Sequence, residues 1–97
     1  MESELYITIS EFCNSHQIEE SFVMSLREYE LVHLSIIGDQ PHIHQEDLPK
    51  LEKMVRLNQE LGINLEGLEA IHFMLERMEG MQREVRLLRN RLKRFEP

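Results

Sequence analysis

The sequence predicts a mainly α-helical protein: a winged helix-turn-helix head with a small β-hairpin wing, followed by a long C-terminal coiled-coil helix. Three observations lead there. Two short amphipathic stretches flank a polar turn near the N-terminus, a β-branched run closed by turn residues comes next, and apolar residues then recur at alternating spacings of three and four to the C-terminal end. A chain of 97 residues supports one modest core and little more. We therefore expect residues 1–63 to form the head and residues 64–97 a separate dimerisation helix.

Leu5 to Ile9 alternates β-branched and aromatic residues over too few positions for more than an edge strand. Thr8-Ile9-Ser10-Glu11 then has the form of a capping box, so a first helix should run from about Ile9 to Ser15. Asn14-Ser15-His16-Gln17 reads as a polar break. Beyond it Phe22, Leu26 and Tyr29 recur at helical spacing behind Glu19 and Glu20, which predicts a second helix from about Glu19 to Glu30. Together the two make a helix-turn-helix unit.

From Val32 the period changes. Val32 to Ile37 is β-branched and aliphatic, Gly38-Asp39-Gln40-Pro41 is turn chemistry, and His42-Ile43-His44 resumes an alternation, which predicts a hairpin wing. Gln45-Glu46-Asp47 opens a third helix with acids in its first turn, Pro49 sits early enough to be tolerated, and Gly62 ends it. Its buried stripe should be Leu48, Leu51, Met54, Val55 and Leu61. Asn64 is a good N-cap for the fourth helix.

On that helix Ile71, Met74, Met78, Met81, Val85, Leu88, Leu92 and Phe95 form an unbroken a/d seam over more than three heptads. A head of roughly 60 residues cannot cover a helix of about 45 Å at 1.5 Å per residue. The seam therefore predicts a homodimer. Methionines and the neighbouring Gly80 soften its middle.

The chain carries 11 Lys+Arg and 18 Asp+Glu, a net charge of −7 that repels nucleic acid and anionic lipid alike. The charge is also uneven: residues 1–80 hold 16 acids and 5 bases, whereas residues 81–97 hold 2 acids and 6 bases. A basic protein is the natural complement of the first part. The arginines of the tail, from Arg83 to Arg94, read as flanks of the apolar seam that pair with acids such as Glu76, Glu79 and Glu84. With no signal-peptide pattern and no long apolar run, the sequence points to a cytoplasmic protein without a membrane segment.

The phrases Tyr6-Ile-Thr-Ile-Ser-Glu-Phe-Cys13, Glu46-Asp-Leu-Pro-Lys-Leu51 and Leu57-Asn-Gln-Glu-Leu-Gly-Ile-Asn-Leu65 resemble the MerR type of winged-helix regulator. MerR-type readers carry a basic Arg-Tyr-Tyr-like run on the second helix and further base on the wing. Here residues 1–47 contain 10 acids and a single base, Arg27. A recognition helix exposing Glu20, Met24, Arg27 and Glu28 gains nothing from counterion release at phosphates, so no direct nucleic-acid binding is expected.

Ile9-Ser-Glu-Phe-Cys13, Val55-Arg-Leu-Asn-Gln-Glu-Leu61 and the stretch from Glu84 to Phe95 are similar to the bacterial chaperone modulators of the CbpM type, themselves small MerR-like proteins. That resemblance implies binding to the J domain of a DnaJ-like co-chaperone of the curved-DNA-binding protein A type, and inhibition of its co-chaperone activity. The alternative is a MerR-like transcriptional regulator or antirepressor. For partner contact the sequence nominates Glu11, Glu19, Glu20, Glu28 and Glu30, which lie on or beside the helix-turn-helix; a basic J-domain helix would complement them.

Other chemistry is poorly provided for. Cys13 and His16, or His42 and His44, have ligand-like spacing, yet two pairs on separate elements fall short of a structural zinc site. Cys13 reads as a buried thiol acting as a small hydrophobe. There is no nucleophile paired with a base, no phosphate-cradling Gly-rich loop and no cofactor fingerprint, so neither enzymatic activity, a cofactor nor a metal is expected.

Overall fold

The computed structural model describes residues 5–95; the outermost ends of the two expected segments, 1–4 and 96–97, lie outside that range. In chain order the elements are β1 (Tyr6–Thr8), α1 (Ile9–His16), α2 (Glu20–Glu28), β2 (Ser35–Ile37), β3 (Gln40–His44), α3 (Leu48–Leu61) and α4 (Leu65–Phe95), with a 3-10 turn at Gln45–Asp47 leading into α3. The described part measures 58 × 37 × 20 Å, and α4 sets the long dimension.

Local chemistry fixes the boundaries. Thr8 caps α1, its hydroxyl accepting a hydrogen bond from the Glu11 amide at 3.0 Å, and Asn64 caps α4, its side-chain oxygen accepting from the Gly67 amide at 2.9 Å. Gly38 and Asp39, both with positive φ, make the two-residue turn of the β2–β3 hairpin. β2 begins three residues later than the pattern suggested. Leu31, Val32 and Leu34 are buried in an irregular segment before it, because their side chains fill the core instead of alternating across a ladder.

The wing is also tied to the N-terminus. β3 is the central strand of a three-stranded antiparallel sheet in the order β1-β3-β2, with Ile7 opposite Ile43 and Ile36 opposite Pro41. Under the sheet, α1 contributes Ile9, Phe12 and Cys13 to one core, α2 adds Val23 and Leu26, and α3 adds Leu51, Met54 and Val55. Leu68 of α4 is fully buried with them, so the first turns of the long helix pack into the head.

Two expectations need correction. Leu61 was placed in the buried stripe of α3, yet it is 69% exposed. It lies seven residues after Met54 and so shares its azimuth, but it stands two turns further along the axis, past the edge of the core. The second helix also ends earlier than Glu30: Tyr29 is its C-cap, and Glu30 adopts a left-handed conformation with φ of +60°. Among the described residues, no helix is long and apolar enough to cross a membrane.

Candidate functional site

The five nominated acids are all exposed, and they fall into two groups at opposite ends of α2. Glu19 and Glu20 stand at its start, where the Ser21 hydroxyl donates to Glu19 Oε2 at 3.3 Å and the Ser10 hydroxyl of α1 donates to Glu20 Oε1 at 2.9 Å. Glu11, next to Ser10, belongs to that end. Glu28 and Glu30 lie at the other end, about 12 Å away along a helix that rises 1.5 Å per residue. They are therefore two acidic ends of one short helix.

The fold adds acids to the second end that periodicity cannot locate. Tyr29 donates its hydroxyl hydrogen to Glu66 Oε1 at 2.9 Å, joining the end of α2 to the first turn of α4. That hydrogen bond, with burial and the neighbouring charges of Glu66, Glu69 and Glu28, raises the Tyr29 phenol above its ordinary range. Glu66 and Glu69 thus stand with Glu28 on one acidic surface. No local signal in the sequence could have brought residues 28 and 66 together; Tyr29 as a helix-face residue with a polar tip was the nearest hint.

The histidine and cysteine pairs are engaged elsewhere. His16 stacks on Phe12 with ring centroids 4.1 Å apart and donates from Nδ1 to the Phe12 carbonyl at 3.1 Å. His42 donates to the Gln40 carbonyl, while His44 Nδ1 accepts from the Glu46 amide at 3.0 Å and so caps the 3-10 turn. Cys13 is buried as expected, and its thiol is raised above the ordinary range by burial first and by the charge of Glu20 second. Among the described residues no three His, Cys, Asp or Glu side chains come together as metal ligands would.

Of the eight seam positions on α4, Ile71 is half-buried against the head, and the remaining seven from Met74 to Phe95 are exposed. A shallow groove of about 470 Å³ runs along Met78, Met81 and Val85, with Arg86 and Arg89 on its edge. Leu87 and Phe73 are exposed as well, off the a/d positions.

The helix-turn-helix packs with a β-hairpin wing and is continued by a helix of 31 residues. The family model described as MerR HTH family regulatory protein matches residues 7–90, from β1 to near the end of α4. The chain belongs to the MerR helix-turn-helix family. No curated protein matches it.

Both α2 and the wing present side chains to solvent. On α2, Glu20, Arg27 and Glu28 are exposed, while Met24, expected on the reading face, is half-buried against the core. The wing, residues 35–44, carries no Lys or Arg; its turn presents Asp39, and Ile36 and Ile37 are exposed on β2. Arg27 is the one Lys or Arg on α2 and the wing.

Proposed function

We propose that this MerR-family chain is a chaperone modulator, which binds the J domain of a DnaJ-like co-chaperone of the curved-DNA-binding protein A type and inhibits its co-chaperone activity. The observation that carries this reading is the sign of the recognition surface. Both ends of α2 are acidic, Glu66 and Glu69 enlarge one of them, and the wing has no base, so a basic protein helix complements this face where a DNA backbone does not. The sequence resemblance to the CbpM type supplies the identity of the partner.

In this reading the protein works in the cytoplasm, has no catalytic role and requires no cofactor. A second copy covers the seam from Ile71 to Phe95, giving a homodimer with two acidic heads. The family match itself favours a second reading, a transcriptional regulator or antirepressor, because the matched family is described as regulatory.

Calorimetry with a purified J domain from the same organism separates the two. Saturable binding, with association slowing as salt shortens the Debye length to about 8 Å, supports the first. Absence of heat at micromolar concentrations with both proteins folded, together with a saturable shift of duplex DNA abolished by Arg27→Ala, supports the second. Charge reversal at Glu19, Glu20 and Glu28 together should abolish inhibition of a J-protein-stimulated ATPase while leaving helical content intact.

A further inference from the structure

The acidic head contains one place where two bases meet, Arg27 and Lys50, balanced against Glu30 and Asp47. Where α2 ends, the left-handed Glu30 turns the chain and the Leu31 amide returns to the Leu26 carbonyl, so that Leu31 and Leu34 become a buried apolar floor. The start of α3 forms the opposite wall. The result is a cleft of about 520 Å³ lined by Arg27, Glu30 and His33 together with Asp47 and Lys50 from the start of α3.

Arg27 is the one Lys or Arg among residues 1–47, and Lys50 is the next base along the chain; the fold brings them from two different helices to one cleft. Among the described residues neither is in an ion pair, although Glu30 and Asp47 line the same space. Two cations outside any ion pair, above an apolar floor, suit a carboxylate carried on a short aliphatic stem.

We propose that this cleft receives an Asp or Glu side chain of the protein partner, one that interrupts the partner's basic face, and so fixes the register of docking. The inference rests on the reading of the head as a docking surface for a basic J-domain helix. An acidic surface alone attracts every basic protein, and discrimination needs a feature of the other sign that a uniformly basic competitor cannot satisfy. Such a competitor would place a like charge against Arg27 and Lys50. Glu30 keeps a left-handed backbone that glycine adopts more cheaply, and it lines the cleft, so its carboxylate would meet bases flanking the inserted acid.

The test is one of sign. Arg27→Ala with Lys50→Ala removes two positive charges and takes the net charge from −7 to −9. If long-range attraction were all that mattered, a more acidic head would bind a basic J domain at least as tightly. The cleft predicts the reverse, a loss of tenfold or more in calorimetric affinity for the J domain, with unchanged circular dichroism and thermal midpoint because both side chains are exposed.

A charge swap completes the experiment. Arg27→Glu should bind poorly to the wild-type J domain and recover when one particular Asp or Glu of that domain, found by replacing each in turn with Lys, is reversed. Unchanged or tighter binding by the double alanine variant, or recovery with no single partner substitution, overturns the cleft while leaving the docking surface standing. Failure of the wild-type protein to bind any J domain removes both.

Discussion

Leu68 and Leu88 sit on the same helix, about 30 Å apart along its axis, and their fates are opposite: the first is fully buried, the second 57% exposed. The difference lies in what surrounds them, not in the local pattern. Around Leu68 the head supplies α1, α2 and α3, whereas every residue from 81 to 95 is exposed. One region of the chain has internalised its apolar residues. The other keeps them on a regular seam that its own head cannot reach, and this is the physical basis for separating the folding unit from the part we propose to be an assembling one.

The largest expected effect breaks the comparison at the folding unit. Leu68→Ala leaves a cavity in the core and should cost about 2–5 kcal/mol, read as a lowered urea midpoint. Leu88→Ala, in protein dilute enough to be monomeric, should move the midpoint by no more than about 0.5 kcal/mol. Equal losses would mean that the outer part of α4 packs on its own head.

At the assembling unit, Leu88→Asp with Leu92→Asp places charges in what we propose to be a dry interface. Light scattering should then report half the wild-type mass, with the unfolding of the dilute head unchanged. A wild-type mass equal to one chain would dismiss the seam as an interface.

How far each region could be read from the sequence follows the same division. Caps and turns are local, so Thr8, Asn64, Gly62 and the Gly38-Asp39 turn announce themselves, and the a/d seam is a pure periodicity. Whatever depends on distant chain segments is hidden. The pairing of Tyr6 with His44 joins β1 to β3 across two intervening helices, and the bond from Tyr29 to Glu66 joins α2 to α4. Leu61 shows the limit of periodicity, which gives a residue's azimuth on a helix but not where the core stops. The cleft holding Arg27 and Lys50 was hidden for the same reason, since the two bases are far apart in sequence and converge only through the turn at Glu30.

The next effect sharpens the account of the head's interior through its two raised acids. Cys13 and Tyr29 each hold a proton more tightly folded than unfolded, so their contribution to stability is complete below their unfolded pKa values and is lost as pH rises through the folded ones. Stability should therefore decline from about pH 8.5 upward as unfolded thiols ionise, and again from about 10 for the phenol. Urea midpoints against pH measure this. Cys13→Ala should remove the first decline and leave the second, and native Cys13 should resist a thiol reagent that labels it in urea.

The smallest effect compares two helix ends. α2 and α3 both terminate through a left-handed residue, but α3 uses Gly62, with φ of +66°, and α2 uses Glu30, with φ of +60°. A left-handed backbone costs a residue with a side chain about 1–2 kcal/mol, and glycine gives back part of any relief through its freer unfolded chain, about 0.4–1 kcal/mol. Glu30→Gly should therefore stabilise the head by roughly 0.5–1 kcal/mol and raise its urea midpoint. Glu30 also lines the Arg27 and Lys50 cleft, so the same substitution should weaken calorimetric binding to the J domain even as the fold gains. A lower midpoint would show that the Glu30 side chain contributes more to the head than its backbone strain removes, and tighter binding would place this carboxylate outside the docking surface.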